Sequence, residues 1–150
     1  MPFADVIEIP THASRQQRDL PTIDTVSDLV RAAQGGGELY LRVSRGPEDV
    51  HTGSRHPESG YPLPGLACWP LGPEPWWPAG TSTWIARQLV SHSYLLSERA
   101  LAWVLTGPVV GRGADGEPLV APARPVALLG HGAFLEAESV YAAWRCRDVR

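Results

Sequence analysis

A chain of 150 residues with 43% apolar and 19% charged residues has the size of one ordinary domain, able to bury a core without staples. Its formal net charge of −3 argues against a nucleic-acid backbone as main partner, because that binding needs clustered positive charge. All 13 basic residues are Arg and Asn is absent too, which excludes lysine Schiff-base chemistry, a phosphate-loop lysine and N-glycosylation.

Two cysteines, Cys68 and Cys146, lie far apart in no C-x-x-C pair and read as reduced thiols of a cytoplasmic protein. The start, Met1–Asp5, has neither a basic region nor an apolar run, so no signal peptide is expected. No window approaches the roughly 20 apolar residues of a membrane span, and no membrane contact is expected.

In chain order, residues 1–20 read as an N-terminal arm with one possible edge strand at Val6–Ile9, leaving 21–150 as a single domain. The spacing of Val26, Leu29, Val30 and Ala33 predicts a helix over Val26–Gln34, capped by Thr25 and ended by Gly35-Gly36-Gly37. Leu39–Ser44 alternates apolar and polar residues as a half-buried strand does, and Arg45-Gly46-Pro47 stops it. Glu48–Gly65 reads as loop, and Leu66–Trp69 as one short strand closed by Pro70. Gly72–Gly80 carries three prolines around Trp76-Trp77, which no regular element tolerates.

A second helix should start near Thr81–Thr83 and reach Leu95 or Leu96, with Trp84, Ile85, Gln88, Leu89 and His92 on related turns. Strands follow at Trp103–Thr106, Val109–Arg112, Glu117–Val120 and Val126–Leu129, the middle two joined by the turn Gly113-Ala114-Asp115-Gly116. A third helix, about Ala133–Arg145, closes the chain with Phe134, Ala137, Val140, Tyr141 and Trp144 on its apolar side. The expected fold class is α+β: one domain with a mostly antiparallel sheet, about three helices and long Pro/Gly-rich loops.

Chemistry-bearing residues are few. His51 and His56 are spaced H-x4-H in an irregular loop without a third ligand nearby, so no metal site is expected. Cys68 lies in an apolar strand and reads as a buried, inert thiol. No G-x-S-x-G marks a hydrolase nucleophile. Trp69, Trp76 and Trp77 fall in or beside one Pro-rich loop; they suit either a lid packed on the core or a stacking wall for a planar ligand. Arg42, in mid-strand on the polar face, lies either on a solvated side or in a cleft, where its planar fork would suit a phosphate or carboxylate and Ser44, Arg45 and Arg112 could share the work. Glu117 opens a strand directly after the turn, where its carboxylate can reach over the sheet edge; Asp115, within the turn, reads as a turn former.

The segments LYLRVSRGP (39–47), LPGLACWPL (63–71), EPWW (74–77), WIARQL (84–89) and VVGRGADGEPLV (109–120) resemble a small bacterial family known only as a domain of unknown function. The resemblance covers roughly Leu20 to Trp144 and implies no activity. A second resemblance is to ADP-ribosyltransferases of the Arg-Ser-Glu type, with Arg42 in Tyr40-Leu41-Arg42-Val43-Ser44 and Glu117 opening Glu117-Pro118-Leu119-Val120. It implies that Arg42 holds an NAD pyrophosphate while Glu117, as catalytic residue, steadies an oxocarbenium-like cation. The chain departs from that pattern where Ala67-Cys68 stands in place of a Ser, where Pro118 follows the Glu, and in its short length. The first functional expectation is therefore an ADP-ribosyltransferase-like domain, with NAD as possible cofactor and Arg42 and Glu117 lining one cleft. The alternatives are a non-catalytic ligand- or protein-binding module using Trp69, Trp76 and Trp77, and an unrelated small tailoring enzyme acting by pocket shape and acid–base groups.

Overall fold

The computed structural model describes residues 19–148, so most of the expected arm, with its strand at Val6–Ile9, lies outside the described residues. The elements run β1 (Thr22–Ile23), α1 (Val26–Gln34), β2 (Tyr40–Ser44), α2 (Asp49–Thr52), β3 (Leu66–Ala67), β4 (Trp69–Pro70), α3 (Thr81–His92), a 3-10 turn (Ser93–Leu95), β5 (Leu101–Thr106), β6 (Val109–Arg112), β7 (Pro118–Val120), β8 (Arg124–Leu129) and α4 (His131–Asp148). The described residues form an α+β domain with four helices and two sheets. Strands β1-β8-β5-β2-β4 form a five-stranded sheet in that order, and β3-β7-β6 form a three-stranded one. Every pairing is antiparallel except β1 with β8.

The strand pattern explains the layering. Leu41 and Val43 on β2, and Leu39 just before it, face α1, α3 and α4 and join a core with Leu29, Leu71, Trp84, Ile85, Leu89, Val104 and Phe134. Tyr40 belongs instead to a second core with Leu66, Cys68, Trp103, Leu105 and Val120, between the large sheet and the small one. The polar face expected for β2 is thus not a solvated face: the three-stranded sheet lies over it. Complete burial of a side chain such as Leu41, which is 0% exposed, contributes about 1.5–3 kcal/mol.

The strand expected at Leu66–Trp69 is split between the two sheets. Leu66 and Ala67 pair with Val120 and Leu119, whereas Trp69 and Pro70 pair with Leu41 and Tyr40. The chain changes sheets at Cys68, whose N–H still donates to Pro118 O (3.2 Å). Pro70 does not end the segment; it occupies a strand at the sheet edge, where no ladder donor is needed. Gly65 makes the approach possible, because a Cβ there would stand 2.8 Å from the Val120 backbone nitrogen.

Helix α1 keeps its expected bounds, with Thr25 Oγ1 accepting the Asp28 N–H at 3.0 Å. Helix α4 begins two residues before its expected start and runs beyond its expected end. Asp24 Oδ1, distant in sequence, accepts the Gly132 N–H (3.0 Å), and Glu136 Oε2 of α4 accepts the Val26 N–H at the start of α1 (3.1 Å). Each helix supplies or adjoins the cap of the other, satisfying donors that a helix start leaves open.

Candidate functional site

The proline-rich loop after β4 turns its two adjacent tryptophans in different directions. Trp77 points inward, 5.5 Å from the Trp84 ring and 4.9 Å from Trp144, with Nε1 donating to Thr83 Oγ1 (3.1 Å) and Gly80 O (3.3 Å). Trp76 is 59% exposed, edge-on to Trp77 and Trp84, and its Nε1 donates to Glu74 Oε2. The Arg87 guanidinium lies 5.4, 5.7 and 5.2 Å from the Trp76, Trp77 and Trp84 ring centres. Among the described residues the ion pairs are Arg31–Asp28 and Arg42–Asp49, so Arg87 has no carboxylate partner there.

Helix α3 is pinned to the edge strand β4 through one carbonyl. Trp84 Nε1 (2.9 Å) and Gln88 Nε2 (2.8 Å) both donate to Pro70 O. One turn on, the His92 ring stacks on Trp69 with centroids 3.7 Å apart and planes 28° from parallel. His92 Nδ1 is 2.7 Å from Gln88 O, which can only accept, so the neutral ring carries its proton on Nδ1 and leaves the Nε2 lone pair free. Burial pushes the His92 pKa down, Arg87 adds to the effect and the Gln88 carbonyl opposes it.

These groups open onto a cleft of about 340 Å³ between α3, the Trp loop and the tip of the β6–β7 hairpin. Helix α3 supplies Trp84, Arg87, Gln88, Ser91 and His92, the Trp loop Glu74 and Trp76, strand β4 Trp69, and the hairpin tip Asp115 and Glu117. Past Pro70, Glu74 and Pro118 the cleft adjoins a second hollow of about 440 Å³ lined by Glu38, Tyr40 and Arg112. There Tyr40 donates to Glu38 Oε2 (2.8 Å), and burial followed by that bond holds its hydroxyl pKa up at about 12.

Arg42 and Glu117 do not line one cleft. Arg42 Nε donates to Asp49 Oδ2 (2.8 Å) and its Nη1 to Ala67 O (2.7 Å), with the two charged side chains only 14% and 12% exposed. It lines a separate cavity of about 520 Å³, together with Ser44 and Arg45. Glu117 reaches the Trp-lined cleft, but its Oε2 accepts the Asp115 N–H (2.9 Å), and a Cβ at Gly113 would fall on its carboxylate. Its place is that of a hairpin-turn anchor. Cys68 is fully buried, chiefly by that burial its pKa rises to about 12, and its thiol donates to Pro118 O (3.6 Å).

Of the other expected site residues, Trp69 and Trp76 meet at the cleft, whereas Trp77 turns into the core and Arg112 lines the adjoining hollow. His56 serves its own loop, Nδ1 accepting from Glu58 N and Ser59 N (3.2 Å each). Sequence reasoning missed Glu74, Arg87 and Ser91, and placed Gln88 only as a member of a helix face. The signal was present: residues 87, 88, 91 and 92 form a polar stripe at i, i+1, i+4 and i+5 beside an apolar one. Among the described residues no helix is long and apolar enough to cross a membrane.

No curated protein and no solved structure matches the chain. The model of a family of unknown function, DUF6098, matches residues 16–149, and the chain belongs to that family.

Proposed function

We propose that the protein is a small-molecule-binding module whose cleft takes a zwitterion with an apolar body, of the amino-acid class. The observation that carries this reading is that one guanidinium, three carboxylates and several indole rings line the same cleft. Arg87, unpaired among the described residues and close to three indole rings, lines the cleft together with Glu74, Asp115, Glu117, Trp69 and Trp76. A guanidinium held near aromatic rings keeps N–H donors for a carboxylate. The carboxylates suit an ammonium group, and the indoles suit the apolar body. The volume, about 340 Å³, lies at the lower end of the range common for small-molecule sites, roughly 300–1,000 Å³.

Calorimetric titration with L-phenylalanine, phenethylamine and phenylacetate tests the reading. Phenylalanine should bind most tightly, and Arg87→Gln should weaken phenylalanine and phenylacetate while sparing phenethylamine. Equal affinity for all three, or binding of none, refutes it. An NAD-consuming transferase would instead need Arg42 and Glu117 on one ligand, so saturating NAD is the contrasting probe and should neither raise the melting temperature nor be consumed.

A further inference from the structure

We infer that the cavity at the far end of β2 is a second site, for a small molecule bearing a multiply charged oxyanion such as a diphosphate. Tyr40, at one end of β2, borders the hollow beside the Trp cleft; Ser44, at the other end, borders this one. Four arginines line it, Arg42, Arg45, Arg55 and Arg99, against a single carboxylate, Asp49. That carboxylate is committed to Arg42 at 2.8 Å, so three guanidiniums face the cavity without an ion-pair partner among the described residues. Arg45, Arg55 and Arg99 are exposed, as are the neighbouring acids Glu48 and Glu98, but of these only the arginines line the cavity.

The convergence is built by the fold rather than by adjacency in sequence. Arg45 follows β2 directly, and Ser44 pairs with Leu101, which brings the Arg99 turn alongside. That turn is closed by Ser97 and Ala100, whose backbones bond each other at 3.1 and 3.3 Å, and Arg99 N donates to Ser97 Oγ (3.2 Å). Arg55 arrives from the third direction. Gly53, at φ 76°, turns the chain out of α2, and Arg55 Nη1 donates to Gly60 O (2.9 Å), which fixes the side chain. Ser44 Oγ already accepts from Trp103 Nε1 (3.0 Å) and Gly46 N (3.2 Å), so its own proton is free to donate inward.

Three like charges that border one hollow repel each other across solvent, more strongly at low salt. A single charge would leave that repulsion largely in place; a polyanion relieves it and matches the planar donor forks of several arginines. The cavity, at about 520 Å³, is concave and local rather than a basic stripe, which favours a small molecule over a nucleic-acid backbone.

The test is calorimetry and thermal denaturation of the whole chain with sodium pyrophosphate against sodium chloride at equal ionic strength. Pyrophosphate should raise the melting temperature in a saturable manner. The double variant Arg45→Gln/Arg99→Gln should lose about tenfold or more in affinity, while melting in chloride no lower than the parent. Arg31→Gln, a change on exposed α1, should bind as the parent does. The inference is overturned if pyrophosphate does no more than chloride, if the double variant binds unchanged, if monophosphate binds as tightly, or if a single-stranded oligonucleotide binds more tightly through the same arginines.

Discussion

The two faces of the five-stranded sheet are built on different principles. Against the helices, β2 and β5 present Leu41, Ala102 and Val104 to other apolar side chains, and Gln88, pinned to Pro70 O, is one of the few buried polar groups there. Against the small sheet, Tyr40, Arg42, Cys68 and Trp103 all carry a polar atom, and each atom has a named partner. A purely apolar layer tolerates change in proportion to the volume lost. A layer of paired polar groups depends on whether a change strands the partner.

The largest expected effect comes where both considerations act together. Trp103→Ala removes a side chain with 0% exposure and leaves Ser44 Oγ without its indole donor, so chemical denaturation should show a loss of about 3–5 kcal/mol. Leu41→Ala, on the helix face, should fall within about 2–5 kcal/mol, set by the cavity alone. A larger cost for Leu41 than for Trp103 would break the contrast between the faces.

Asp49→Ala should cost about 2–3 kcal/mol, because it strands the Arg42 guanidinium at 14% exposure. Replacing both partners, Arg42→Met with Asp49→Leu, should recover most of that loss, since the desolvated charge goes with them. A double variant as unstable as the single one would show that the pair itself stabilises the fold.

Thiol labelling sharpens the comparison without a substitution. At pH 8 the native protein should react at Cys146, which is exposed, and not at Cys68, whose pKa stands at about 12; in denaturant both should react, as intact mass reads directly. The Cys68 pKa lies above its ordinary value of 9.0, so the folded thiol contributes stability below pH 9 that declines as pH rises from there toward 12.

The smallest effects belong to the cleft. Trp76→Ala should change stability by no more than about 1 kcal/mol, its ring being 59% exposed, yet abolish phenylalanine binding. His92 runs opposite to Cys68. Its folded pKa is lowered from 6.5, so the unfolded chain takes the proton first and stability falls as pH drops through 6.5. His92→Gln should flatten that slope in a pH series of melting curves.

Much of this fold was legible in the sequence because local patterns were not overruled. Val26–Gln34 has its cap, its apolar stripe and its glycine stop within one stretch, and the structure keeps its bounds. The β6–β7 hairpin follows from its turn residues, with Gly116 at φ 79°. What stayed hidden depended on distant partners. Two-residue β1 is too short for any periodicity and exists because β8 receives it. Cys68 marks a change of sheet that an unbroken apolar run conceals. At the site, Trp69 and Trp76 were visible as aromatic residues, but which of Trp76 and Trp77 faces outward depends on Trp84 and Trp144. Arg42 showed its unusual position and not its partner, because Asp49 reaches it only through the turn into α2.

The crossed caps of α1 and α4 have a consequence for how this chain acquires its shape. Asp24 and Gly132 are 108 residues apart, and Val26 and Glu136 are 110 apart, so the first helix is not secured until the last one has formed. During synthesis, an emerging chain that stops short of Glu136 holds β1 and α1 without their final ties. Such remote closure favours slow, late consolidation of the helical layer.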